Sequence, residues 1–191
     1  MNPSDLVGQC IFDSARTIES LVAESDRIAA IGAAMIAALK AGHKVLTAGN
    51  GGSAAEALHM SEELVGRYKS NRPSLAAVAL VADPTALTCI GNDFGYDEIF
   101  RRQIEGLGRP GDVLVLFSTS GNARNLKLGL DAAHLKGMKT VCLLGRDGGK
   151  LAGQGTHEVI VRSNETERVQ EAHQVLLHIL LEIVERAFVT P

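Results

Sequence analysis

Two glycine- and hydroxyl-rich segments of the chain have the composition of a phosphate-binding site. Gly49-Asn50-Gly51-Gly52-Ser53 follows one apolar run, and Ser118-Thr119-Ser120-Gly121-Asn122 follows another. Glycines let the backbone approach a ligand closely, and a helix beginning behind such a segment adds the positive end of its dipole. Capping needs one hydroxyl only, so three in a row without Lys or Arg favour a phosphomonoester held by neutral donors. The first segment alone is equally consistent with a tight turn, since it matches neither GxGxxG nor GxxxxGK[ST].

Titratable side chains at helical spacing could add acid–base or metal chemistry. His59 and Glu63 are four residues apart, so they share one face of the helix predicted behind the first segment. Their spacing suits two metal ligands or an acid–base pair, and an exposed pair without function is the alternative. Gln170, Gln174 and His178 form a second stripe. A lone histidine among apolar residues is usually a core residue, so His178 by itself indicates no function.

A third polar segment, Gly91-Asn92-Asp93-Phe94-Gly95, follows a predicted helix. Asn and Asp are ordinary turn residues, so a turn that binds nothing is the simpler interpretation. If the segment reaches the site, Asn92 and Asp93 would contact the hydroxyl groups of a sugar.

The elements that must position these residues alternate along the chain. Apolar runs predict five strands, namely Val45–Ala48, Ala77–Val81, Val113–Phe117, Thr140–Leu144 and Val159–Val161. Helical patterns cover Leu6–Leu21, Asp26–Lys40, Ser53–Val65, Pro84–Ile90, Tyr96–Leu107, Ala123–Lys136 and Glu167–Phe188. Continuously apolar strands separated by helices indicate a parallel sheet covered on both faces. We therefore expect one α/β domain, residues 1–191, a flavodoxin-like three-layer sandwich with a five-stranded parallel sheet plus N-terminal helices. Ligands of such sheets bind beyond the carboxyl ends of the strands.

Composition excludes several other classes of protein. The net charge of −3 over 191 residues gives no electrostatic reason to expect a nucleic-acid or membrane partner. Cys10, Cys89 and Cys142 are far apart and sit in apolar stretches, which predicts buried, reduced thiols. No signal segment opens the chain and no apolar run approaches the ~18 residues of a membrane span. The sequence therefore predicts a cytoplasmic protein.

The order of these motifs over nearly the whole chain resembles the phosphoheptose isomerases of the sugar-isomerase (SIS) domain superfamily. The glycine-rich and STSG segments are typical of the superfamily as a whole, whereas the full combination is specific to the isomerases. The matching stretches are AGNGGSAAEALHMSEELVGRYKSNRP (Ala48–Pro73), CIGNDFGYDEIFRRQIEGLGRPGDVL (Cys89–Leu114), STSGNARN (Ser118–Asn125), KGMK (Lys136–Lys139) and RVQEAHQVLLHIL (Arg168–Leu180).

The resemblance implies an aldose–ketose isomerase that converts sedoheptulose 7-phosphate into D-glycero-D-manno-heptose 7-phosphate. This reaction begins the synthesis of the heptose of bacterial lipopolysaccharide and other surface polysaccharides. The resemblance also implies a homotetramer with active sites between subunits, and one zinc ion per site. Its zinc ligands would be His59, Glu63, Gln170 and His178, and its acid–base pair Glu63 and His178. Its substrate contacts would be Asn50, Gly51, Gly52, Ser53, Glu63, Arg67, Asn92, Asp93, Ser118, Thr119, Ser120 and Gln170.

The N-terminal helices exceed what the sheet needs for cover. Their stripe of Ile31, Met35 and Leu39 is expected to bundle with the final helix of neighbouring subunits in this tetramer.

Departures from the family pattern leave the predicted ligands and base in place. Ala123 stands where many members have Ser, which removes one phosphate hydroxyl, and Glu167 replaces an Asp of some members. A carboxylate held on zinc is a poorer base, and a zinc-bound imidazole cannot donate from the ligated nitrogen. The division of roles between Glu63 and His178 therefore stays open.

Two other functions remain as alternatives. Non-catalytic SIS proteins that bind the bacterial replication initiator keep the fold but replace the carboxylate of the HxxxE helix, so Glu63 favours an enzyme. An isomerase of another sugar phosphate, such as arabinose 5-phosphate, is the second alternative.

Overall fold

A five-stranded parallel sheet forms the centre of the protein in a computed structural model that describes residues 2–189. Its strands are β1 (Val45–Gly49), β2 (Ala77–Ala79), β3 (Val113–Ser118), β4 (Lys139–Gly145) and β5 (His157–Val161). They are arranged in the order β2-β1-β3-β4-β5, and every neighbouring pair is parallel. The predicted α/β fold class is confirmed.

Helices cover both faces of the sheet. They are α1 (Pro3–Glu19), α2 (Ser25–Lys40), α3 (Gly52–Val65), α4 (Pro84–Phe94), α5 (Ile99–Leu107), α6 (Arg124–Leu135) and α7 (Thr166–Arg186). Alternate residues of β3 point to opposite faces. Val115 packs in a core with α2, α3 and α7, whereas Leu116 packs in a second core with α5 and α6. The strands are buried from both sides, which explains their continuous rather than alternating apolar sequence.

The segment Gly91–Phe94 is the last turn of α4, so its prediction as a loop is wrong. The Asp83 side chain starts this helix by accepting the N–H groups of Thr85 and Ala86 at 2.9 and 3.0 Å. Gly95 ends it with φ of +91°, a conformation that glycine adopts without strain. The predicted helix Tyr96–Leu107 divides into a short 3₁₀ turn, Tyr96–Glu98, and α5.

Helix α2 covers the chain's own sheet rather than a neighbouring subunit. Ile31 and Met35 are fully buried and pack in the core formed with α7 and the strands. A Cβ atom on Gly32 would lie 2.6 Å from Ile183 of α7, so this glycine permits the close approach of the two helices. The expectation that the α2 stripe is free for another subunit is therefore wrong, because these residues complete the core of one chain.

Two of the three cysteines also differ from the prediction. Cys142 is buried, but Cys10 and Cys89 are exposed, because each lies on the outer side of an amphipathic helix. All three are free thiols. Within residues 2–189, no helix combines the length and apolar composition needed to cross a membrane.

Candidate active site

The two glycine- and hydroxyl-rich segments lie side by side at the point where the sheet changes its winding direction. From β1 the chain crosses to β2 at one edge, whereas from β3 it proceeds through β4 to β5 at the other. β1 and β3 are neighbours, and Gly49 pairs in register with Phe117. The loops that follow them therefore open into one crevice, the usual ligand position in a doubly wound sheet.

The loop after β1 brings backbone close to the start of α3. Gly51, with φ of +57°, precedes the first residue of this helix, and no side chain caps it. A side chain at Gly49 would collide with the Ser53 carbonyl group. Ser53 is itself buried. The N-terminus of α3 is thus shaped by glycine and left without a side-chain partner, as an anion site requires.

Asn50 is tied to its neighbours by its own side chain. It forms reciprocal amide hydrogen bonds with Asn125 of α6 at 2.8 and 2.9 Å. It also accepts a hydrogen bond from the Tyr96 hydroxyl at 2.8 Å. These contacts fix the first loop to the start of α6, beside the second loop.

The loop after β3 holds its three hydroxyls in different ways. Ser118 Oγ accepts the N–H of Gly121 at 3.0 Å, and Ser120 Oγ accepts that of Asn122 at 3.3 Å. Each serine keeps its own O–H proton for a ligand. Thr119 is half-buried, and no hydrogen bond among residues 2–189 uses its hydroxyl. No side chain caps α6, whose N-cap is Ala123, so the missing family serine leaves this helix end open.

The titratable residues predicted from α3 and α7 form one cluster. His59 Nε2 lies 3.4 Å from Glu63 Oε1. The imidazole rings of His59 and His178 are 5.1 Å apart between centroids, edge to face. Three of the four predicted zinc ligands are therefore brought together within one chain.

Gln174, rather than the predicted ligand Gln170, lies between the two imidazoles of the cluster. Gln174 Nε2 is 2.6 Å from His59 Nδ1 and 3.3 Å from His178 Nε2. Gln170 lies against Gly52 so closely that a side chain at Gly52 would collide with its amide. Gln170 thus adjoins the predicted phosphate loop, and within residues 2–189 it forms no hydrogen bond with either imidazole. Its role as a substrate contact and zinc ligand stays a prediction.

The surroundings of His178 favour its neutral form. Burial, and secondly the nearby His59, lower the pKa of His178 below its ordinary 6.5, although Glu63 acts in the opposite sense. The ring of Tyr68 stacks on His178, with centroids 5.7 Å apart. A neutral imidazole has one lone pair free, so it can accept a proton or bind a metal ion.

Three predicted substrate contacts stand apart from this cluster. Arg67 is exposed in the turn after α3. Asn92 and Asp93 are exposed on the last turn of α4, where the Asn92 amide donates to Asp93 at 2.7 Å. Within residues 2–189 these side chains form no hydrogen bond or ion pair with the two loops, and their role as substrate contacts stays a prediction.

Sequence reasoning missed the residues that hold the turn after α3. Glu185 of α7 is 4% exposed and accepts the N–H groups of Tyr68, Lys69 and Ser70 at 2.9–3.0 Å. Arg72 lies beside it, with 3.5 Å between its Nε and the carboxylate. Arg72 could have been found from the sequence, because the Arg72-Pro73 pair belongs to the stretch that matches the family. Glu185 could not, because it is one of several charged residues on an amphipathic helix.

Arg72 also fixes the end of the helix that carries His59. Its guanidinium donates to the carbonyl of Glu63 at 2.7 Å and to that of Leu64 at 2.9 Å. These carbonyls lie in the last turn of α3, where no intrahelical donor remains for them. A buried cation there complements the negative end of the helix dipole.

A second buried pair lies beneath the cluster. Glu56 of α3 is 5% exposed and His173 of α7 is fully buried, with 3.7 Å between the carboxylate and Nδ1. Both groups lack a hydrogen-bond partner among the described residues. Glu56 lies one helical turn before His59, and His173 is next to Gln174. Nothing in the sequence around either residue indicates that the two face each other.

Comparisons with known proteins agree with this architecture. Residues 12–145 match the sequence pattern that describes the SIS domain family. A phosphoheptose isomerase of Akkermansia muciniphila is 45% identical over 92% of each chain. One of Edwardsiella ictaluri is 44% identical over 95% of this chain and 96% of its own.

Solved structures give the same result. The phosphoheptose isomerase of Francisella tularensis superposes with a TM-score of 0.94 at 31% identity, covering 97% of this chain and all of its own. That of Neisseria gonorrhoeae gives 0.88 at 38% identity with the same coverage. A protein from Bacteroides fragilis, at 15% identity and a TM-score of 0.67 over 98% and 93% of the two chains, shares the fold alone.

Proposed function

The chain belongs to the phosphoheptose isomerases of the SIS domain family, and from this premise we propose that it converts sedoheptulose 7-phosphate into D-glycero-D-manno-heptose 7-phosphate. The reaction serves the synthesis of the heptose of bacterial surface polysaccharides, and we place it in the cytoplasm. One observation carries the proposal. A carboxylate and an imidazole, Glu63 and His59, lie on the helix that begins at the predicted phosphate crevice and form one cluster with the imidazole of His178 on α7.

The reaction moves one proton between neighbouring carbons through an enediol. Glu63 is the base that takes the proton from C1 of the ketose and returns it to C2. His178, neutral at physiological pH because burial and His59 lower its pKa, accepts the proton of the C1 hydroxyl and gives a proton to the C2 oxygen. After both transfers the carbonyl group has moved from C2 to C1, and each residue has regained its starting protonation state.

We propose one zinc ion per subunit as the cofactor. Two imidazoles and a carboxylate are a donor set that zinc prefers. His59 Nε2 lies 3.4 Å from Glu63 Oε1, and the His178 ring is 5.1 Å from the His59 ring between centroids. His59, Glu63 and His178 would hold the ion, and Gln170 remains the fourth ligand that the resemblance implies. When bound, zinc would supply Lewis acidity that polarises the substrate carbonyl.

Two alternatives fit the site less well. A regulator that binds the replication initiator needs no carboxylate opposite His59, whereas Glu63 is half-buried and faces that ring. An isomerase of another sugar phosphate would keep the same chemistry. The relatives that share 43–45% identity over nearly the whole chain are named phosphoheptose isomerases, which favours the seven-carbon substrate.

Incubation with sedoheptulose 7-phosphate, followed by chromatographic separation of the sugar phosphates, tests the function. We expect the aldose 7-phosphate to accumulate to an equilibrium mixture. A parallel incubation with ribulose 5-phosphate tests the arabinose 5-phosphate alternative. Conversion of the pentulose alone would replace the proposed substrate, and binding of either ketose without any product would favour the regulator.

Replacement of Thr119 by valine is expected to weaken the binding of both the substrate and inorganic phosphate. Valine keeps the shape of threonine but removes a hydroxyl that is free to donate to the phosphate. A lost hydrogen bond to a charged group costs about 1.5–3 kcal/mol, which corresponds to roughly 10–100-fold in affinity. Calorimetric titration with inorganic phosphate measures this directly.

Thr156→Val is the matched control, because its hydroxyl bonds to Thr140 at the opposite, amino-terminal end of the strands. This variant should bind phosphate normally. Equal phosphate affinity of the Thr119→Val and wild-type proteins would show that the hydroxyls of the second loop stabilise the loop itself and do not bind phosphate.

We propose a homotetramer with active sites at subunit interfaces. Helix α1 packs on α7 but leaves Leu6, Val7, Ile11 and Phe12 54–70% exposed, and several large apolar side chains exposed on one helix are expected at a protein contact. Closed symmetric association would bury these side chains. We expect light scattering to give four times the chain mass, and Phe12→Asp to give smaller species. A wild-type mass of one chain would contradict the tetramer.

A further inference from the structure

A single carboxamide lies between the two imidazoles of the site. Gln174 Nε2 is 2.6 Å from Nδ1 of His59 and 3.3 Å from Nε2 of His178. All three side chains are half-buried, so few water molecules compete for these contacts. Gln174 is not among the residues to which the resemblance assigns a role.

The orientation of this amide limits which ring nitrogens can carry protons. An amide nitrogen has two N–H donors and no acceptor, so both ring nitrogens that face it must offer lone pairs. The proton of neutral His59 is then on Nε2, which faces Glu63 Oε1 at 3.4 Å. Each side chain in this row thus faces a complementary group. The row runs from the carboxylate of Glu63 through His59 and Gln174 to His178.

A divalent cation between His59 and Glu63 requires the other tautomer of His59. The cation would take the lone pair of Nε2, so the ring proton must be on Nδ1. An Nδ1–H group cannot face the N–H groups of an amide. Rotation of the terminal amide by about 180° would present Oε1 instead, which accepts from Nδ1–H. The same oxygen would face Nε2 of His178, which would then carry its ring proton there and leave Nδ1 as the nitrogen with a lone pair. This torsion has two broad minima of similar energy, so the rotation leaves helix and rings in place.

We propose that Gln174 is a positioning residue whose amide orientation selects the tautomer of His59. The amide nitrogen holds the Nε2–H tautomer in the metal-free protein, and the amide oxygen holds the Nδ1–H tautomer when zinc is bound. Ligating histidines generally donate their second N–H to such an acceptor, and loss of that acceptor costs roughly 10–100-fold in metal affinity. The inference rests on the proposed function only in taking zinc as the cation.

The first test reads the tautomers directly in metal-free protein. Nitrogen-15-labelled histidine, observed at about pH 9 where imidazoles are neutral, reports which nitrogen carries the proton, and His59→Ala identifies the signal. We expect the wild type to show His59 as Nε2–H. Gln174→Met, which keeps the length of the side chain without its amide, should show a mixture of tautomers. Gln174→Glu, which offers acceptors only, should show Nδ1–H.

The second test measures zinc affinity by competition with a chelator. Gln174→Met is expected to bind zinc about 10–100-fold more weakly than the wild type. Gln103→Met is the matched control, because Gln103 is also half-buried with two amide hydrogen bonds, to the carbonyls of Leu80 and Ile99. Its loss should affect stability alone and leave zinc affinity and the His59 signal unchanged.

Several outcomes would overturn the inference. One is a folded Gln174→Met protein with wild-type tautomers and zinc affinity. Another is a His59 signal that is the same in the Met and Glu variants. A wild-type protein that binds no zinc would also overturn it. Neither readout uses sedoheptulose 7-phosphate, so failure of the proposed isomerisation would appear separately, as a protein with the expected tautomers and zinc affinity but no aldose product.

Discussion

Replacing Glu63 by glutamine is expected to reduce the turnover of sedoheptulose 7-phosphate by about 10²–10⁴-fold, which is the usual contribution of general acid–base catalysis. An amide cannot accept the C1 proton, and it is a poorer metal ligand than a carboxylate. The fold should survive, because the backbone carbonyl of Glu63, and not its side chain, is what Arg72 contacts. Steady-state kinetics together with a thermal unfolding curve measure both effects.

Glu62→Gln provides the control for this experiment. Glu62 is the preceding residue on α3 and its side chain is 66% exposed, with a carboxylate oxygen 3.9 Å from His59. The substitution removes the same charge at nearly the same place, so a purely electrostatic effect would appear in both variants. We expect near-normal turnover for Glu62→Gln. Near-normal turnover for a folded Glu63→Gln protein would refute the proposed base.

The fold could be predicted largely because its signals are local. Each strand is a short apolar run bounded by turn residues, and all five predicted runs coincide with observed strands within two residues at either end. The boundary of α4 was the clearest error. Asn92 and Asp93 are turn residues by preference, but Asp83 caps the helix and Gly91 keeps a negative φ, so the helix continues through them to Gly95.

The candidate site was only partly predictable, because its members are far apart in sequence. Spacing on α3 placed His59 and Glu63 on one face, and spacing on α7 gave a stripe that contains both Gln170 and Gln174. Which of these glutamines meets His59 depends on the register between two helices more than a hundred residues apart. The structure selects Gln174, and no pattern within either helix contains that information.

Glu185 shows the same limit more strongly. Its three backbone donors belong to a turn 115–117 residues earlier in the chain. An anion that accepts three N–H groups replaces the hydration that it loses on burial. The turn that it holds carries Tyr68, whose ring stacks on His178. A residue outside the catalytic cluster therefore connects the stability of the chain to the shape of the site.

Glu185→Gln is expected to destabilise the protein by about 3–5 kcal/mol at neutral pH, the usual cost of removing one partner of a buried ion pair. The amide nitrogen of glutamine would face backbone N–H groups, and the Arg72 side chain, 1% exposed, would lose its counter-charge. Urea unfolding at matched protein concentration measures the difference, since an oligomer's stability depends on concentration.

The pH dependence of this difference follows from the pKa of Glu185. Burial by itself would raise that pKa, but the N–H groups of Ser70, Lys69 and Tyr68 and the charge of Arg72 outweigh burial and hold it below the ordinary 4.5. A carboxyl group with a depressed pKa in the folded state stabilises the protein above its unfolded-state pKa. That contribution is lost as the pH falls through the folded-state pKa. The gap between wild type and Glu185→Gln should be constant near neutral pH and shrink below about pH 4.5.

Glu182→Gln on the same helix distinguishes a buried anion from an exposed one. Glu182 pairs at the surface with Lys69 and Arg186, and exposed pairs contribute little to stability. This variant should unfold almost as the wild type does. If Glu185→Gln also unfolds like the wild type at neutral pH, the turn is held by the carbonyl contacts of Arg72 alone. A loss of stability that does not diminish in acid would instead show that the shape of Glu185, and not its charge, supports the turn beside His178.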